Sequence, residues 1–78
     1  MKSIQTLHDL RPGQTATVRE LCLGGSQRRR LRDIGLIEGT TVECVGISPG
    51  GDPAAYLVCG AVIALRAEDS RRIMMSRE

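Results

Sequence analysis

Between Gly24 and Thr40 the chain reads GGSQRRRLRDIGLIEGT, with Arg28, Arg29 and Arg30 in a row and Arg32 just beyond. Guanidinium groups at this density suit anions, either carboxylates on a protein or phosphates. On a helix, Arg28 and Arg32 stand four residues apart and repel, which favours an external anion. Arg29 and Asp33 share that spacing and form a pair contributing roughly 0.3 kcal/mol. The plainer alternative is a solvated helix face.

Other groups able to do chemistry are sparse. His8 is the single histidine, and Cys22, Cys44 and Cys59 are scattered, with no C-x-x-C or H-x-x-x-H pair among them. Neither a tetrahedral metal site nor a redox dithiol is therefore spelled out. Cys44 reads as a small hydrophobe on a strand, and Cys59, if directed outward, as a reactive thiol able to link two copies in air. Asp52 reads as a local turn cap, and Glu68 and Asp69 as the start of a helical turn. No phosphate-binding Gly-x-x-x-x-Gly-Lys-Ser/Thr occurs, and no Ser-His-Asp set or carboxylate pair can be assembled. The expectation is a non-enzyme without cofactor or metal site.

Seventy-eight residues with 41% hydrophobic content form one domain, residues 1–78, near the lower limit for a self-sufficient core. That core must be aliphatic, because the chain has no Trp or Phe and a single Tyr56. The net charge of +2 is a mild excess, and Tyr56 is the only platform on which a base could stack. Both facts weigh against the competing reading, a nucleic-acid-binding barrel with Arg19, Arg28, Arg29, Arg32 and Arg66 on phosphates. The opening MKSIQTLHDL lacks the apolar stretch of a signal peptide, and no run approaches the roughly 20 apolar residues that span a bilayer. A cytoplasmic protein with free thiols and no membrane insertion is expected.

These groups must be positioned by short elements. Alternation of Ala16 and Val18 with Thr15, Thr17 and Arg19 predicts a strand from about Gln14 to Leu21, after a turn at Pro12-Gly13. Ser26 stands at an N-cap position and Gly35 at a C-terminal one, so a helix is expected over about residues 26–34, with Gln27, Leu31 and Ile34 inward. A turn at Glu38-Gly39 leads into a strand over about 40–47, and residues 48–53 form a loop. AAYLVCG and AVIALR predict two strands separated by Gly60, then one helical turn over residues 67–72 and a last strand at 73–75. With Tyr56, Val58, Ile63 and Leu65 facing in, Ala55, Leu57, Cys59, Val62 and Ala64 face out, an apolar strip of the kind that marks interaction surfaces. Mainly β architecture follows: a small antiparallel barrel of about five strands with one short helix.

LRPGQTATV, RRLRDIGLIEGTTVE, SPGGDP and CGAVIALRAEDSRRI, in that order from about Leu7 to Met75, resemble the ferrous iron transport protein A (FeoA) family. The resemblance implies an SH3-like barrel, a shape also found as the C-terminal module of iron-dependent repressors. It further implies a cytoplasmic accessory protein that regulates a membrane ferrous-iron transporter carrying a GTPase domain, the FeoB type. Gly50 departs from the family, which often has a larger apolar residue there, and the slots of Leu57, Cys59 and Val62 are commonly polar in it. Arg28, Arg29, Arg32, Leu57, Cys59 and Val62 are the candidate contact residues, for the transporter or for self-association.

Overall fold

A computed structural model of the chain describes residues 4–76. A 3-10 turn at Leu7–Asp9 precedes strand β1 (Thr15–Leu21) and helix α1 (Gly25–Asp33). Strands β2 (Thr41–Ile47), β3 (Ala54–Val58) and β4 (Ala61–Leu65) follow, then the short helix α2 (Ala67–Ser70) and β5 (Ile73–Ser76). All pairings are antiparallel and the sheet order is β4-β3-β2-β1-β5. Irregular registers at Val18–Glu20 and Cys44–Gly46 mark bulges, which bend a sheet this small around its own contents.

The five strands match expectation; closure does not. β4 and β5 are the two edges and do not pair, so the sheet is open rather than a sealed barrel. The chain between them turns through α2, which carries Ser70 into the interior instead of continuing as a paired strand. Alternation in β1 holds as read, with Ala16 and Val18 buried and Thr15 and Arg19 exposed. Tyr56 is 1% exposed and lies within a cluster that includes Leu7, Leu10, Leu36, Val42, Val58 and Ile73. Cys44 is buried there as well, as a small hydrophobe.

Helix α1 departs from the expected ends in two ways. The helix begins at Gly25 with Gly24 as its N-cap rather than Ser26, and the chain enters it through a left-handed Gly25 (φ +62°), a conformation open to glycine. Ile34 is 42% exposed rather than core. It is the C-cap residue, and the chain turns at Gly35 (φ +99°) to drive Leu36 inward in its place. The Gly35 N–H donates to Arg32 C=O at 3.0 Å and the Leu36 N–H to Leu31 C=O at 2.9 Å, the paired bonds of a Schellman ending. Leu31 and Leu36, both buried, complete it.

Gly35 is doubly constrained. A Cβ there would meet the Cys59 Sγ at 2.6 Å and its Cβ at 3.3 Å. The left-handed backbone alone costs a non-glycine residue roughly 1–2 kcal/mol. Gly35→Ala is expected to lower Tm by roughly 5–15 °C. Adding Cys59→Ala removes the sulfur that the new Cβ would meet and should return only that steric part, and a double-mutant cycle of melting curves separates it from the backbone cost.

Candidate functional site

The arginine cluster is not one patch. Arg28, Arg29 and Arg32 line an open concavity of about 520 Å³ with Gly25, Asp33 and Ile37. Arg30 turns the other way, into a cleft of about 310 Å³ between α1 and β4 whose walls include Leu31, Ile34 and Ile63. Gln27 Nε2 donates to Asp69 Oδ1 at 2.9 Å across that cleft, so the Gln27 side of the helix meets α2 through polar atoms.

On the β3–β4 hairpin the expected outward residues are brought together. Leu57 pairs directly with Val62, and Ala55 with Ala64. Glu43 of β2 stands beside Leu57. Val62 is 63% exposed while Leu57 is half-buried, so the strip is apolar and uneven. It shares no residue with the concavity of Arg28, Arg29 and Arg32.

Cys59 is placed differently from its expectation. β3 ends at Val58, and Cys59 with Gly60 forms the two-residue turn, at φ +49° and +83°. Two positive φ values match the twist of the flanking strands, which is why the turn is tight. The exposed thiol donates to Gly35 C=O at 3.7 Å, tying the hairpin tip to the end of α1 rather than extending the strip.

Asp52 also has a longer reach than its local reading. Its Oδ1 accepts the Ala67 N–H at 2.9 Å, capping α2 from fifteen residues away. Asp69, expected to begin or cap that turn, sits inside it and instead holds Gln27.

No group of three or more His, Cys, Asp or Glu able to hold a metal ion occurs among the described residues. His8 lies in the 3-10 turn, apart from the exposed Cys22 and Cys59 and the buried Cys44. Burial holds the Cys44 thiol above its ordinary pKa, opposed by its bond to Gly46 C=O and assisted by Glu43. Burial likewise raises Tyr56, against a hydrogen bond from Ser70 and with smaller contributions from Cys44 and Asp52. Being interior, Tyr56 offers no face to a nucleic-acid base. Two features escaped sequence reasoning: the exposed Ile34 and Ile37 at the end of α1, and the unprotected edge of β4. The uncharged run AVIAL was the available signal for the second.

The sequence matches the FeoA domain family over residues 5–77. This chain belongs to the FeoA family. The family is one of small accessory proteins in ferrous iron transport. Among solved structures, the FeoA protein of Chlorobium tepidum is 28% identical, with a TM-score of 0.87 over 92% of this FeoA chain and 69% of its own. The FeoA of Stenotrophomonas maltophilia is 31% identical, with a TM-score of 0.76 over 91% and 88%. That protein was solved with zinc and described as a prokaryotic SH3-domain protein proposed to activate ferrous iron transport. The IdeR of T. acidophilum, 20% identical, superposes on all of this FeoA chain and 37% of its own, with a TM-score of 0.80, and shows the fold alone. No curated protein matches the sequence. The FeoA fold here is SH3-like, with five antiparallel strands in one open sheet. No helix among the described residues is long and apolar enough to cross a membrane.

Proposed function

We propose that this chain is a cytoplasmic, non-enzymatic interaction module that docks on the cytoplasmic part of a GTPase-carrying membrane ferrous-iron transporter of the FeoB type. The observation that carries it is Val62, 63% exposed and directly opposite Leu57 on the outward face of the β3–β4 hairpin. Arg28, Arg29 and Arg32 supply a second, cationic contact suited to carboxylates. Docking acts on the transporter only by favouring one of its conformations, since equal affinity for two states shifts neither.

Leu57→Glu combined with Val62→Glu tests the surface. Both residues lie on the outward face, so the variant is expected to remain folded by circular dichroism. It should bind the transporter's cytoplasmic region at least tenfold more weakly than the unchanged chain. Unaltered binding together with an unaltered oligomeric state removes the hairpin from the interface.

A further inference from the structure

β4 is an edge strand with an edge that invites pairing. Ala61–Leu65 reads AVIAL, without the lysine, proline or other charge that keeps strands from adding to an exposed edge. The opposite edge is covered, because the lead-in bridges Thr6 to Met74 and the Met75 N–H donates to Gln5 C=O at 2.9 Å.

On β4 the two-residue turn makes Val58 and Ala61 the closing hydrogen-bonded pair. Alternation then directs the N–H and C=O of Val62 and Ala64 away from β3. Both residues are exposed, and among the described residues no backbone group outside the sheet bonds to them.

The cleft between α1 and β4 runs beside this edge. Ile34 and Ile63 give it apolar walls, and Arg30 and Arg66 give it two cations. Asp69 is its one carboxylate, and Gln27 already holds it. A second copy of the chain is the poorer occupant, because antiparallel pairing of two β4 edges would bring the Arg30 and Arg66 of each copy toward the other's. Carboxylates on an incoming strand complement Arg30 and Arg66 instead.

We propose that β4 accepts an extended segment of a partner protein, with apolar and acidic residues in turn at its cleft-facing positions, as a sixth strand of the sheet. Its backbone pairs with Val62 and Ala64, and every second side chain enters the cleft, the apolar ones against Ile34 and Ile63 and the carboxylates at Arg30 and Arg66. The proposal rests on the reading of the chain as an interaction module and specifies how contact is made.

The probe is a blocked ten-residue peptide with valine and glutamate in turn at every second position and threonine between them, with lysine in place of glutamate as control, titrated into the full ¹⁵N-labelled chain. The glutamate peptide is expected to bind and to slow amide exchange at Val62 and Ala64 at least tenfold. Ala64→Pro should weaken binding at least tenfold, since proline is tolerated where the missing N–H faces away from the sheet. Arg30→Glu with Arg66→Glu leaves the backbone unchanged and should weaken it at least fivefold.

Three results would overturn the sixth strand: binding of neither peptide, equal binding of both, or unchanged exchange at Val62 and Ala64. Protection of those amides that grows with protein concentration in the absence of peptide also overturns it, and assigns the edge to a second copy. The transporter's cytoplasmic region separates this proposal from the reading beneath it. Equal binding to the unchanged chain and to Ala64→Pro removes the sixth strand and leaves the transporter contact standing. Peptide capture without transporter binding does the reverse.

Discussion

Tyr56→Ala is expected to remove a large share of the stability of the fold. Removing a fully buried aromatic side chain costs about 3–5 kcal/mol in lost burial and residual cavity. A domain of this length has roughly 4–12 kcal/mol in total. The chain has no Phe, no Trp and no second Tyr to fill the gap, and the neighbours, such as Leu7, Leu36, Val42 and Ile73, are already buried. Tyr56→Phe separates volume from polarity. It keeps the packing and removes only the hydroxyl that meets Ser70, a loss of about 1 kcal/mol. Urea titrations of the three proteins check both figures. A Tyr56→Ala midpoint close to that of Tyr56→Phe would show that the ring does not hold the core together.

The second large effect is a division among the thiols. At pH 8 the exposed Cys22 and Cys59 should react with iodoacetamide within minutes, while Cys44 stays unmodified until the chain unfolds. The same burial makes stability depend on pH at the alkaline end. Cys44 and Tyr56 have folded-state pKa values above their ordinary 9.0 and 10.0. Each is neutral when protonated, so above those values the unfolded chain releases protons that the folded chain retains. The stabilisation from keeping both groups neutral is complete below about pH 9 and is lost as pH climbs through the raised values. Cys44→Ala should remove the earlier part of this decline and Tyr56→Phe the later part, as read from Tm between pH 7 and 11. Modification of all three thiols at equal rates in the native state would contradict the placement of Cys44.

What the sequence made legible follows from the range of the interactions involved. The alternation in β1, the glycine ending of α1 and the β3–β4 hairpin are set by neighbours a few residues apart, and they appear where expected. The misplacements lie where other constraints decide. Ile34 looked like part of an apolar stripe, but the turn at Gly35 hands its place to Leu36. Cys59 looked like the next strand residue, but the twist of the hairpin needed two left-handed residues at its tip. Asp52 reaches α2 across the loop, a contact that no local spacing announces. Arg28, Arg29 and Arg32, grouped from the sequence as candidate contacts, line one concavity, while Arg30 lies toward β4. The open sheet was missed because a four-residue helix carrying a buried serine is indistinguishable, by composition, from a simple connection.

A surface that regulates a transporter must distinguish between its states, and that property can be measured directly. The cytoplasmic GTPase region of a FeoB-type transporter is titrated calorimetrically with this chain, once loaded with GDP and once with a non-hydrolysable GTP analogue. Saturable binding with dissociation constants differing at least fivefold is the predicted result, in the range of typical coupling between sites. Absence of binding in both states, or equal affinity for them, would contradict the account.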